Sequence, residues 1–500
     1  MKFPKTKSAL VALAIIGLAT LFLIVVVSKS TALWQNYQAC GTVKEITDQI
    51  RSDQLADTSE TSIIPINFTE IDKKLQNHDQ EIKLCLESLT NNRLVNLLLP
   101  AEITELAPAF ASYYPDLKII VNNLATKDQL WLILFQNSDE LRATGGFTGS
   151  YALAQIKSGK VSELVFEDIY DADGQFQGFV EPPPGVKEYL SSNNGLRLPD
   201  ANWHPDVARS IQQQLNFFAL GSKQNIQGVI VVNLPFVEKL LDITGPIKIA
   251  DYDAEVSSQN INQVMRDERD DFFAGSIQKK HILSLAAKQV LFKLKDLEPT
   301  QHLKMIPLIQ NGVKNKELMF YSRDTQLQDI FRKFQTTGEI NTQKDGYFIG
   351  LVESNVGINK ANRGVHRTVN IDLQESRSQI TINFNNDNPN QGYVNYQRFL
   401  VAPDWNVHNI SINGQNFDKW DEEIISTSLD QNLKQIGFVL TVTPGAKTST
   451  QIELIHPPLV IPTSLLIYKQ PGLEPTPYTV NYNGNQNQLL LESDQSLMLE

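Results

Sequence analysis

Four textures of hydrophobic and polar positions follow one another along the chain. From Ala9 to Val27 the run ALVALAIIGLATLFLIVVV holds no charge and nothing more polar than Thr20. As a helix it is about 28 Å long, close to the hydrocarbon thickness of a bilayer. Between Trp34 and about Leu99 apolar residues recur at helical spacing, with Ile71, Leu75, Ile82, Leu86 and Leu89 on one face and Asn67 or Thr69 placed to cap it. Pro100 closes that stretch, and a second one through Leu106, Phe110 and Leu117 leads to Trp131. Residues 28–126 therefore read as a helical stalk or cap.

The third texture mixes short apolar runs with amphipathic stretches. Trp131 to Phe135 is continuous and apolar, the pattern of a strand buried on both faces. A strand from Tyr151 to Ile156 turns at Ser158-Gly159 into Val161 to Phe166, a hairpin. Loops dense in turn formers follow at Pro182 to Gly185 and Leu198 to Asp206. Val207 to Leu220 reads as a helix, Gly228 to Leu234 as a second buried strand, Pro235 to Leu241 as a helix, and Ile243 to Ile247 as a turn into a short strand. Asn260 to Leu294 begins polar and continues as a long amphipathic helix. The helix Thr325 to Phe334 and the strand Tyr347 to Val352 complete an α/β domain, residues 127–365, with a mixed sheet in which the strands near 131–135 and 228–234 are neighbours.

From His366 short alternating strands take over, among them Thr368 to Leu373, Gln379 to Phe384 and Phe438 to Val442, which predicts an antiparallel β-sandwich over residues 366–470. Residues 471–500 read as a polar C-terminal tail holding at most an extra strand.

Charge orients this plan. Lys2, Lys5 and Lys7 precede the apolar run and only Lys29 follows closely, so residues 1–8 are expected to stay in the cytoplasm, 9–27 to span the membrane once, and the bulk of the chain to be extracytoplasmic. No small-residue cleavage site follows, which favours an uncleaved anchor over a cleaved signal. A net charge of −12 leaves no basic excess for general nucleic-acid binding. Cys40 and Cys85, the only cysteines, lie on the exported side, either bridged or as two buried thiols. The seven histidines show no zinc-ligand spacing, and no Gly-x-Ser-x-Gly elbow occurs. Ser276 and Lys279 match Ser-x-x-Lys, a pair that arises readily by chance.

The densest candidate chemistry follows Phe135. Arg142, Thr144, Gly145, Gly146, Thr148 and Ser150 supply a fixed cation, hydroxyls, and glycines that let backbone N–H groups crowd an anion, and the hairpin delivers Glu167, Asp168, Asp171 and Asp173 nearby. The same residues also suit a plain turn flanked by solvated acids, and the glycines fit no nucleotide fingerprint. Arg266 and Arg269 share a face if their stretch is helical, either as phosphate ligands or as surface partners of Asp267, Glu268, Asp270 and Asp271. The phosphate reading has Arg142, Arg266 and Arg269 converge on one anion, with Asp168 and Asp171 holding a divalent cation such as Mg²⁺; no cofactor is required by the pattern.

The strings Gln136 to Tyr151, Asp168-Ile-Tyr-Asp171, Asp200-Ala-Asn-Trp203, Gly228-Val-Ile-Val and Leu241 to Pro246 resemble, in order, the bacterial family filed as domain of unknown function 4012, over residues 127–365. That resemblance implies a membrane anchor and exported topology, and no activity is established for the family. A more distant likeness is to the LytR-CpsA-Psr phosphotransferases, which move glycopolymers from polyprenyl-diphosphate lipids onto the cell wall using Mg²⁺, acids and arginines. Arg266, Arg269 and Asp271-Phe272 resemble one of their stretches. Where those enzymes have Arg-Ser-Asp-Thr this chain has Thr148-Gly-Ser-Tyr151, so Ser150 stands at the metal-binding aspartate; Phe166-Glu-Asp168 replaces Pro-Arg-Asp, and their later arginine falls near Gln278 or Lys279.

Two functions follow as expectations. One is a non-catalytic cell-envelope protein that binds a polyprenyl-phosphate lipid or envelope glycopolymer, or presents its β-sandwich to a protein partner. The other is a Mg²⁺-dependent glycopolymer phosphotransferase.

Overall fold

The computed structural model describes residues 66–91, 101–191, 193–222, 225–249, 254–261, 289–290, 293–294, 297, 299–342, 346–458 and 464–499. The Ala9–Val27 run, Cys40, Arg266 and Arg269 lie outside the described residues, as does most of the Asn260–Leu294 stretch. Among those described, no helix is long and apolar enough to cross a membrane.

Among the described residues three helices come first: α1 (Phe68–Asn77), α2 (Asp79–Asn91) and α3 (Ala101–Thr126). Asn67 caps α1, its side chain accepting from Glu70 N at 3.2 Å. Ile71, Leu75, Ile82, Leu86 and Leu117 are buried, as helical spacing requires. Cys85 is buried and disulfide-bonded.

The central sheet has β1 (Gln129–Asn137), β2 (Phe147–Lys157), β3 (Lys160–Asp168), β4 (Gly228–Asn233) and, after a small hairpin of β5 (Ile247–Ile249) and β6 (Ala254–Val256), β7 (Leu318–Ser322). Its order is β3-β2-β1-β4-β7. Strands β1 and β4 run parallel from Trp131–Gly228 to Gln136–Asn233, and the other neighbours are antiparallel. Trp131 packs with the helical cap while Leu132 and Leu134 pack on the opposite layer, so burial on both faces explains the unbroken apolar run. A Cβ on Gly228 would sit 2.4 Å from the Trp131 ring, which is why that register position is glycine. Ser158 and Gly159 take φ of 50° and 72°, the left-handed pair that a two-residue hairpin turn needs.

The remaining α-helices with defined bounds among the described residues are α4 (Ile169–Asp173), α5 (Val186–Tyr189), α6 (Val207–Ser222), α7 (Leu234–Thr244), α8 (Pro299–Lys314) and α9 (Thr325–Lys333). Helices α4 and α6 cover one face of the sheet; α1–α3, α7, α8 and α9 lie with the other.

The sandwich begins earlier and ends later than the alternation indicated. Strands β8 (Tyr347–Asn355), β9 (Val365–Leu373), β10 (Arg377–Asn386), β11 (Tyr393–Val401), β12 (Asn406–Ile412), β13 (Gln415–Asn416), β14 (Asp421–Ser426), β15 (Asn432–Val442), β16 (Lys447–Ile455), β17 (Ser464–Tyr468), β18 (Thr476–Tyr482), β19 (Asn485–Leu491) and β20 (Gln495–Met498) form two sheets. Their orders are β13-β12-β16-β10-β9-β18-β19 and β14-β15-β11-β8-β17-β20. A boundary at 365/366 would thus cut β8 from the sheet it centres, and residues 476–498 form paired strands rather than a tail. Strand β8 is buried at every position because its second face meets the α/β part, so it reads like an α/β strand. The sandwich is not wholly antiparallel: β17 runs parallel to β8, and β18 to β9.

Candidate functional site

After β1 the chain turns back on itself and stays inside the protein. The Asn137 side chain accepts from Asp139 N at 3.0 Å, Gly145 N donates to Arg142 O at 3.0 Å, and Phe147 N to Glu140 O at 2.8 Å. Gly145 has φ +128°, and a Cβ there would lie 2.2 Å from the Asn233 amide; one on Gly146 would lie 2.2 Å from Asn137 O. The glycines make room for protein, so the expected anion cradle is occupied by the chain itself.

Arg142 is 1% exposed. Its Nε donates to Asp200 Oδ1 at 3.2 Å, Nη1 to Leu141 O at 3.2 Å and Asn355 O at 2.6 Å, and Nη2 to Glu140 Oε1 at 3.1 Å and Asp200 Oδ1 at 3.2 Å. A guanidinium has five N–H donors, and all are used. The reading of Arg142 as an open phosphate ligand is corrected by this count: it is a buried cross-link. Thr144 and Thr148 are likewise turned inward. Gln136 Nε2 donates to Thr144 Oγ1 at 3.0 Å, Asn202 Nδ2 to Thr144 Oγ1 at 3.0 Å and Gly146 O at 2.8 Å, and Gln214 Nε2 to Thr148 Oγ1 at 3.3 Å. Ser150 is buried opposite Asp168 in the β2–β3 register.

The acids are shared out in the same way. Asp168 is wholly buried and caps α4 by accepting from Tyr170 N at 2.9 Å. Asp173 binds Arg197 Nε at 3.0 Å and Leu198 N at 2.8 Å. Glu167 accepts from the Tyr151 hydroxyl, whose pKa is raised by burial and then by that carboxylate. Asp171 is half-buried beside them. Among the described residues no group of three or more His, Cys, Asp or Glu side chains is placed to hold a metal ion. Asp168 and Asp171 are neighbours in sequence and space, yet the helix cap commits the first of them.

The sandwich closes the turn from outside. Asn355 N donates to Leu141 O at 2.9 Å, Asn362 Nδ2 to Ser138 O at 2.8 Å, and Gln470 Nε2 to Arg142 O at 3.0 Å and Glu353 O at 2.8 Å. A Cβ on Gly472 would fall 1.9 Å from Gly145 O. The crevice beyond the carboxyl ends of β1 and β4, where open α/β sheets take ligands, is therefore filled by residues 355–362 and 470–472.

Sequence reading missed the residues of this junction. Lys316 Nζ donates to Asp494 Oδ1 at 2.8 Å and Lys469 O at 3.0 Å, and lies 3.8 Å from the Tyr468 ring centre. Lys469 Nζ donates to Gln470 O and Leu473 O, each at 2.7 Å. Burial, reinforced by the charge of Lys316, pushes the Lys469 amine down to about 7. Inside the sandwich Arg367 grips Glu353 through Nε at 2.9 Å and Nη2 at 2.8 Å, while Tyr393 donates to the same carboxylate at 2.8 Å. The available signal was a lone charge in an apolar strand, as at Arg398 in Tyr393–Val401 or Lys469 after Ser464–Tyr468.

Residues 127–269 match the family described as Protein of unknown function (DUF4012). This segment is similar to the DUF4012 family. The DUF4012 match takes in β1 to β6, the polar turn, and the positions of Arg266 and Arg269, and stops short of β7 and the sandwich. It also stops well before residue 365, the far end of the resemblance in sequence. The groups that close the turn, Asn355, Asn362, Gln470 and Gly472, lie outside the DUF4012 segment.

No curated protein matches. Protein gbs0355 from Streptococcus agalactiae is similar at 12% identity over 43% of this chain and 76% of its own, with a TM-score of 0.28. A transcriptional regulator (EF0465) from Enterococcus faecalis follows at 11% identity, 44% and 77%, TM-score 0.25. Lin1025 protein from Listeria innocua stands at 11%, 42% and 80%, TM-score 0.23. Likenesses this slight carry no argument.

Proposed function

We propose that the chain is a single-pass, extracytoplasmic cell-envelope protein that binds a phosphorylated, polyprenyl-diphosphate-linked ligand, or helps assemble an envelope polymer, without itself transferring phosphoryl groups. The Ala9–Val27 run is the anchor and its lysine flank the cytoplasmic end. The observation that carries the non-catalytic side is Arg142, whose five N–H groups are all bound within the protein. In this reading ligand phosphates meet Arg266 and Arg269, and the sandwich is free to face a protein partner. The alternative, a Mg²⁺-dependent LytR-CpsA-Psr-type phosphotransferase, asks Asp168 and Asp171 to hold the ion, and the capping role of Asp168 favours the binding reading over it.

Native mass spectrometry of the full chain against polyprenyl phosphates, with and without Mg²⁺, tests this. Arg266→Ala and Arg269→Ala are each expected to weaken binding about tenfold or more while the fold persists. Wild-type binding in both variants, or turnover of a lipid-linked glycopolymer by the intact chain, would overturn the proposal.

A further inference from the structure

The segment from Trp203 to Arg209, which leads into α6, packs against the sandwich and is held at four residues. Arg398 Nη1 on β11 donates to Trp203 O at 2.7 Å, with its guanidinium 4.6 Å from the Trp203 ring centre. Tyr468 on β17 donates to Pro205 O at 3.2 Å. Asp206 Oδ2 accepts from Ile340 N at 3.0 Å, Ser428 N at 3.2 Å and Ser428 Oγ at 3.1 Å. Arg209 donates to Thr427 O at 2.9 Å and 3.2 Å.

One titratable side chain holds this loop in shape from within. His204 Nδ1 accepts from Asp206 N at 3.0 Å, and Asp206 Oδ1 in turn accepts from Arg209 N at 3.1 Å at the start of α6. Only an imidazole unprotonated at Nδ1 can accept that bond, since both ring nitrogens of an imidazolium are donors. The charged and titratable groups around it are Asp206 on its own loop, Arg209 on α6, Arg398 and Tyr396 on β11, and Asp430, which lies 3.6 Å from Arg209 in the loop after β14; Tyr468 on β17, Glu423 on β14 and Lys316 after α8 stand behind these. A proton on His204 both breaks the bond that positions Asp206 and adds a cation beside two arginines.

We propose that the Trp203–Arg209 loop is an acid-sensitive latch between the two parts of the chain, released when His204 takes up a proton. Burial, then the charges of Arg398 and Arg209, hold the imidazole at about 4 against an ordinary 6.5. The closed form therefore loses stability as pH falls from 6.5 toward 4, and its opening equilibrium rises by at least tenfold and at most about 300-fold across that window.

Hydrogen exchange of the full chain at pH 7.5, 6, 5 and 4.5, corrected for intrinsic rates, reads this opening. In wild type, peptides holding the Arg209, Ile340 and Ser428 amides should lose protection as pH falls while β9 and β10 keep theirs. His204→Asn retains an acceptor near the Nδ1 position without titrating, and its latch peptides should stay protected. Equal loss of protection in His204→Asn, or none in wild type, overturns the proposal. Should the variant fail to fold, an NMR titration of the wild-type His204 ring decides: a midpoint near 6.5 with the latch amides unmoved has the same effect.

Discussion

Lys469→Met tests the cost of the buried amine at the junction. Lys469 is 2% exposed, its amine donates to the Gln470 and Leu473 carbonyls, and burial brings its pKa from 10.5 to about 7. The sign follows from proton counting. Between pH 7 and 10.5 the unfolded chain holds a proton at this site that the folded chain has lost, so stability rises with pH through that window and is flat below it. At about 1.36 kcal/mol per unit the full span is of order 4–5 kcal/mol, and the part between pH 7 and pH 9 about 2–3 kcal/mol. Methionine fills similar space without a charge but leaves two carbonyls unbonded, each costing about 1–3 kcal/mol. The variant should therefore sit close to wild type at pH 7 and fall behind it steadily toward pH 9. Guanidinium unfolding of both chains at pH 7, 8 and 9 measures the difference, in which titrating groups not coupled to Lys469 cancel. A wild-type minus variant difference that stays constant, or shrinks, would refute the reasoning.

Arg142→Met should cost about 3 kcal/mol, because Glu140 stays buried without its cation; a thermal melt shows it, and an unchanged midpoint would contradict the buried cross-link. Gly145→Ala should cost about 1–3 kcal/mol from its φ of +128° and the contact with Asn233, and pairing it with Asn233→Ala in a double-mutant cycle should show non-additive costs. A fragment of residues 366–471 should give no cooperative melt by circular dichroism, since it lacks β8 from the middle of one sheet and β18 to β20 from both; a sharp β-type transition would refute that.

What the sequence made legible was periodicity and local turn chemistry. The unbroken run at Trp131, the hairpin at Ser158-Gly159, the Asn67 cap and the pairing of β1 with β4 all depend on residues close in the chain or on a shared burial pattern. The turn at Arg142 was visible as a concentration of donors, but a donor list does not name its acceptors. Those of Arg142 include residues 58 and 213 positions away, and composition alone cannot separate an arginine awaiting phosphate from one already matched. The last strands escaped for a related reason. Residues such as Asn485, Gln486 and Asn487 face solvent on an edge strand, where polar side chains are what a sheet margin carries.

The bond from Gln470 to Arg142 O spans 328 residues and therefore bears on the order in which the chain can complete itself. A polypeptide delivered amino end first presents β1 and the polar turn long before β8 or Gln470 exists to meet them. Until then Leu141 O and Arg142 O are without those partners, and the parallel strand pair stands open at its carboxyl edge. Contacts this distant are slow to form, because the closure entropy of the intervening chain must be met first. Loss of the final strands by premature termination thus reaches back to the first strand of the sheet, and the interval before they arrive is when this protein is most exposed to mispairing with its neighbours.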